Sequence, residues 1–145
     1  MFRHCHSSTT TRDRLALCVA IPLMGLIGSP LTAVAADTSA AQELARWSAQ
    51  AGMPPNADRG QAFFQSRAGG EWSCASCHGM PPLKPGQHAV TAKPIEPLAP
   101  IANPKAFTDS ARSDKWFRRN CKDVLSRECT AAEKADVLAF LMGLK

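Results

Sequence analysis

Cys74-Ala75-Ser76-Cys77-His78 is the stretch on which the reading of this chain turns. Two thiols three positions apart, followed at once by an imidazole, make the attachment motif of c-type haem. The thiols add across two vinyl groups, and the adjoining histidine then falls under the iron as proximal ligand. Chance yields such a motif on the order of once per hundred sequences of this kind. Other uses of Cys-x-x-Cys need other surroundings: a thioredoxin-type dithiol needs a βαβ context, and a zinc knuckle needs a second ligand pair at finger-like spacing, unlike that of Cys121 and Cys129. A plain disulfide between Cys74 and Cys77 leaves His78 and the proline-rich stretch after it unexplained. The motif predicts one covalent haem c on Cys74 and Cys77, with His78 on the iron.

Upstream, Arg3, Arg12 and Arg14 precede an apolar run from Leu15 to Ile27, and Ala33-Val34-Ala35 follows. This is the three-part pattern of a secretory signal with an A-x-A cleavage site. Thirteen apolar residues are too few for a bilayer core, which takes about 20. The expected organisation is a signal peptide over 1–35, cleaved near Ala35/Ala36, and one domain over 36–145, exported to the periplasm without a permanent membrane anchor. The whole chain carries +5. The expected mature part has 14 Lys and Arg against 11 Asp and Glu, hence +3, and nucleic-acid binding loses its main support. Its four cysteines enter an oxidising compartment, where unpaired thiols do not persist.

Downstream and upstream of the motif, only helices are predicted. Ser39 with Gln42 caps a helix over about 40–51, whose apolar face is Ala40, Leu44, Trp47 and Ala51 and which Gly52 stops. A second runs from about Asn56 to Ser66, with Gly60 and Phe64 one turn apart. Residues 79–107 hold seven prolines and no sustained period, a loop long enough to need something to wrap around. Helix resumes over about Ser110 to Cys121. Thr130 with Glu133 then caps a last helix carrying Val137, Leu138, Leu141 and Leu144. No strand is predicted.

Cys121 and Cys129 read as a disulfide closing a small loop, worth about 2.5 kcal/mol on the chain-entropy model; a second redox centre or free thiols is the alternative. For the sixth iron position the mature chain offers Met53, Met80, Met142 and His88. Met80 lies two residues from His78, a span of at most about 7 Å, too short to reach the other porphyrin face. Met142 reads as core and Met53 as linker, which leaves His88 as the rival with reach. Lys93, Lys105 and Arg112 read either as partners for haem propionates or as solvated surface charges, and Pro97 as the carbonyl that steadies the proximal histidine.

Gly60 with Phe64 and Phe140-Leu141 match the core helices of cytochromes c. Beyond them, Pro97-Leu98-Ala99-Pro100, Phe107-Thr108-Asp109-Ser110, Lys115-Trp116-Phe117-Arg118-Arg119-Asn120-Cys121 and Arg127-Glu128-Cys129-Thr130 resemble the sphaeroides haem protein family of high-spin class I cytochromes c. The resemblance covers nearly the whole expected mature chain. It implies a small all-α class I cytochrome c fold, a Cys121–Cys129 disulfide and Asn120 as sixth ligand. It also implies loss of Asn120 on reduction, binding of oxygen or nitric oxide, and a dihaem cytochrome c as redox partner. Two positions depart from the family: Ala92 and Ser126 stand where its members tend to have glycine.

The expectation is an electron-transfer haem protein with a ferrous iron open to small gases. The competing readings are a plain low-spin shuttle closed by His88 or a methionine, and a haem oxidoreductase acting on small nitrogen or oxygen species. The residues leave open whether the protein is an enzyme.

Overall fold

A computed structural model describes residues 37–68 and 70–145; the expected signal peptide and the start at Ala36 lie outside the described residues. The elements are α1 (Ala40–Ala51), α2 (Ala57–Gln65), α3 (Cys74–His78), β1 (Gly86–Gln87), β2 (Pro94–Ile95), α4 (Ser110–Leu125) and α5 (Ala131–Gly143). Each long helix begins on a side-chain cap. Ser39, Asn56, Asp109 and Thr130 accept hydrogen bonds from the backbone N–H groups of Gln42, Arg59, Arg112 and Glu133, which satisfies donors that an unfinished first turn leaves free.

The apolar faces of α1 and α2 both pack on α5. Trp47, Ala135 and Leu138 form one buried cluster; Phe64, Val137, Phe140 and Leu141 form the other. Gly60 makes the α2–α5 crossing possible, because a Cβ placed there would stand 1.9 Å from the Asp136 carbonyl oxygen. The Asp136 side chain locks the same crossing from the side. It accepts from Asn56 N–H at 2.6 Å and from Arg59 Nε and Nη2 at 2.7 and 2.8 Å, so the buried carboxylate is paired and hydrogen-bonded as burial requires.

Four features differ from expectation. Cys74–His78 forms its own helix, started by a reciprocal Ser73–Ser76 capping box; five residues are too few to display a period. Gly86–Gln87 pairs antiparallel with Pro94–Ile95, a minimal ladder inside the proline-rich stretch, where no strand was predicted. The helix through Asn120 continues to Leu125 and is closed by Ser126 in the left-handed region, φ 57°. Bridging Cys121 to Cys129 does not require the chain to leave the helix, because Cys129 returns to a Cα separation of 5.6 Å. Met142, read as core, is exposed, since the buried stripe of α5 runs through Val137, Leu138 and Leu141 instead.

Arg127 clamps the disulfide segment to α5. Its guanidinium donates to both Glu133 oxygens at 2.8 and 2.6 Å, and Glu133 also accepts from Thr130 N–H at 2.8 Å. The Arg127 hydrogen bond holds the Glu133 carboxyl below its ordinary value. The folded pKa being the lower one, the stabilisation is present above the unfolded value and is lost as pH falls through the folded one. Unfolding midpoints followed down through the carboxylate range should therefore drop less steeply in Glu133→Gln than in the parent; equal slopes would contradict the clamp.

Candidate haem site

α2, α3, α4, α5 and the 86–107 segment enclose a cavity of about 1250 Å³. That exceeds the ~300–1,000 Å³ usual for small-ligand pockets and suits a macrocycle. Its wall is apolar and only partly covered by protein. Phe63, Trp72, Leu98, Phe107 and Phe117 are half-buried, while Val90 and Trp116 are exposed, Trp116 at 48%. Seven large apolar groups turned on one space in so small a domain are the surface that a flat hydrophobic group would cover.

The attachment residues share this wall. Cys74 and Cys77 are half-buried and neither is joined to another cysteine. Ala89 N–H donates to Cys77 Sγ at 3.4 Å, which ties the hairpin of β1 and β2 to α3. Gly86 permits that contact: a Cβ there would lie 2.1 Å from the Cys77 carbonyl oxygen and 3.0 Å from His78 Cα. Burial lowers the His78 pKa and so favours the neutral ring, the form with a lone pair to offer. Its centroid lies 6.3 Å from that of Phe64, and its Nδ1 is buried with no hydrogen-bond partner among the described residues. With Nδ1 buried, the other ring nitrogen, which makes no hydrogen bond among the described residues, is the one left to meet a bound group in the cavity that His78 lines. The Pro97 carbonyl, expected to steady His78, instead accepts from Asn103 Nδ2 at 3.0 Å.

α4 supplies the other wall. Ser113, Trp116, Phe117, Asn120, Cys121 and Val124 line the cavity, spaced three or four apart as one helix face requires. Asn120 is exposed there and its side chain makes no hydrogen bond among the described residues. Five residues short of the helix end, it is no capping residue. Cys121, directly after it, is joined to Cys129, and both are buried.

The rival sixth-position candidates separate by location. Met53, Met80 and Met142 are exposed and do not line the cavity. His88 does line it, but its Nδ1 accepts from Val90 N–H at 3.3 Å and Thr91 N–H at 3.2 Å. In a neutral ring an accepting Nδ1 puts the proton on Nε2, so neither nitrogen keeps a free lone pair in this arrangement. Lys93, Lys105 and Arg112, read as partners for haem propionates or as surface charges, all line the cavity. Sequence reasoning missed Trp72, Gly86 and Phe107. Phe107 holds φ 60°, rare for a bulky residue, while packing against both core clusters and lining the cavity.

Ala92 (φ 55°) and Ser126 (φ 57°), the two departures from glycine, both occupy the left-handed region. Ala92 closes the hairpin turn by donating to the His88 carbonyl at 2.9 Å. A Cβ is costly in that conformation and glycine is not. Ala92→Gly and Ser126→Gly each relieve a left-handed cost of about 1–2 kcal/mol against the ~0.5–1 kcal/mol that glycine's extra chain entropy takes back, so each should stabilise the protein by about 1 kcal/mol or less; denaturant midpoints of the single and double variants check this, and a loss in either would refute the strain argument.

Comparison with known proteins places these features. A family described as a domain of unknown function (DUF1924) matches residues 50–141. The chain is 51% identical over 113 residues to the cytochrome c-type protein SHP of Cereibacter sphaeroides, covering 75% of this chain and 87% of that protein. It is 39% identical over 92 residues to cytochrome c'' of Methylophilus methylotrophus, covering 61% of this chain and 64% of the relative. Among solved structures, that of oxidized SHP, described as an oxygen-binding cytochrome c, superposes with a TM-score of 0.68 at 48% identity, covering 74% of this chain and 99% of the other. Oxidized cytochrome c'' superposes with a TM-score of 0.63 at 34% identity, covering 73% and 94%.

Proposed function

The chain belongs to the sphaeroides haem protein family of class I cytochromes c, whose members carry haem c covalently, and from that premise we propose a periplasmic monohaem electron carrier whose sixth ligand, Asn120, leaves on reduction. Cys74 and Cys77 would hold the group by thioethers and His78 would ligate its iron. When bound, haem supplies an iron that carries one electron and, with a position free, takes oxygen or nitric oxide. Asn120 offers an amide oxygen, a hard and weak donor that suits ferric iron and suits softer ferrous iron poorly, so reduction favours its departure. What carries this reading is the position of Asn120: it lies on the cavity face of α4 with a side chain that makes no hydrogen bond among the described residues, while Met53, Met80 and Met142 lie outside the cavity.

Because Asn120 sits inside a helix, release takes a rotamer change or a small shift of α4 rather than the swing of a loop. The Cys121–Cys129 bond beside it limits that shift, which keeps the side chain within reach for return. The weakly basic surface expected of residues 36–145 suits an acidic electron donor, for which a dihaem cytochrome c is the family's choice. Among the described residues no helix is long and apolar enough to cross a membrane, and residues 1–35 serve as the leader that exports the 36–145 domain.

The visible spectrum of the haem-loaded protein, ferric and then ferrous, before and after nitric oxide or carbon monoxide, tests this. The expected ferrous form is high-spin and takes up the gas promptly, and Asn120→Ala alters the ferric spectrum. Sharp low-spin bands that ignore the gas would return the protein to the closed shuttles.

A further inference from the structure

We infer that Glu43, on α1 and outside the haem cavity, is a positioning residue that holds Asn120 in place by fixing the N-terminal end of α4; this rests on the reading of Asn120 as sixth ligand. Glu43 is 1% exposed, and a buried carboxylate survives only when paired and hydrogen-bonded. One oxygen accepts from Ser110 Oγ at 2.7 Å, and the other accepts from the Arg46 guanidinium. That guanidinium donates in turn to Asp114 at 3.0 Å, and Lys134 of α5 stands 3.8 Å from the same Asp114 oxygen. Ser110 N–H donates to Asp37 at 2.9 Å. The first turn of α4 is thus tied to α1 and α5 along a stripe of two residues one turn apart, Ser110 and Asp114.

Replacing a buried ion pair by apolar groups is often neutral or stabilising, so the cluster is a poor device for stability alone; what directed polar contacts supply is register. At about 100° per residue, the Ser110–Asp114 stripe lies roughly 100° around the helix from Asn120. A helix with its side chains is about 10–12 Å across, so a roll of about 10° carries a side-chain end by about 1 Å. Site geometry has to hold within about 0.5 Å. Further along, Phe117 seats edge-on against Trp47 at a centroid distance of 4.9 Å, and Cys121 is bonded to Cys129. Asn120 lies between those anchors and depends on the first turn for the roll angle at which its amide meets the cavity.

The test uses the haem-loaded protein and four variants: Glu43→Ala, Ser110→Ala, Asn120→Ala and, as a control, Asp136→Asn, which weakens a buried carboxylate cluster at the α2–α5 crossing. The readouts are the ferric absorption spectrum, the rate at which that spectrum returns after rapid oxidation of the ferrous protein, and the thermal midpoint. Glu43→Ala and Ser110→Ala should slow the return about five-fold or more and move the ferric spectrum toward that of Asn120→Ala. Asp136→Asn should lower the midpoint and leave spectrum and rate unchanged. If Glu43→Ala does not fold, Ser110→Ala, which loses one hydroxyl, decides. Lower midpoints with the parent's spectrum and rate, or an equal effect of Asp136→Asn, would overturn the inference. An Asn120→Ala spectrum identical to the parent's would remove the sixth-ligand reading and this inference with it; a changed one beside unchanged Glu43→Ala and Ser110→Ala removes the inference alone.

Discussion

Gly60→Ala should cost the haem-loaded protein about 2–3 kcal/mol and lower its thermal midpoint by roughly 10–20 °C. The added Cβ would meet Asp136 O at 1.9 Å, Asp136 C at 2.3 Å and Val137 N at 2.8 Å. All three are backbone atoms inside a helix, so no side chain can turn aside; α2 and α5 have to separate. Separation would strain the Arg59 and Asn56 hydrogen bonds to Asp136 and loosen Phe64 from Val137 and Leu141. A midpoint within about 2 °C of the parent would show that the crossing yields more easily than close packing allows.

Replacing both attachment cysteines, Cys74→Ser with Cys77→Ser, should abolish cooperative unfolding altogether. Phe63, Trp72, Leu98, Phe107 and Phe117 are each only half-buried by protein and all face the cavity. Completing the burial of a half-buried group is worth roughly half of the ~1.5–3 kcal/mol of full burial, so the five together supply about 4–8 kcal/mol, comparable with the lower part of the ~5–15 kcal/mol that stabilises a whole domain. Without a covalently held partner for that surface, the surplus that keeps α4 and the 86–107 segment in place is gone. Circular dichroism on heating should show a broad, shallow change in the doubly substituted protein. A sharp transition near the parent's midpoint would mean that the helices α1, α2 and α5 suffice by themselves.

Much of the fold was legible because its signals are local. The caps at Ser39 and Thr130, the stop at Gly52 and the Val137–Leu144 stripe each lie within a few residues of what they control, and α1, α2 and α5 fall within a residue or two of expectation. The pairing of Gly60 with the last helix was legible as a family match, though the reason, a backbone-to-backbone approach, appears only when α5 is in place. Glu43 carried no signal at all. On a helical wheel it is an ordinary charged residue, and its burial exists only because Ser110, 67 residues later, comes to meet it. The end of α4 was misjudged because the disulfide suggested a loop, whereas Ser126 accepts a left-handed backbone that the family gives to glycine.

Adjacent residues carry the attachment chemistry on their own: a Cys-x-x-Cys-His unit commits the chain to covalent haem, since two thiols and an imidazole at that spacing need no distant partner to be recognised. Which distant side chains share the space around that unit is set by the folded chain. Along the chain Met142 read as core, Met53 as linker and His88 as the rival with reach, while Asn120 came from the resemblance. Both His88 and Asn120 are brought to the cavity wall, and the methionines left outside it, by the path of residues 79–107 and the course of α4. Those depend on contacts between residues tens of positions apart, whose loop-closure cost and packing gain no local pattern encodes.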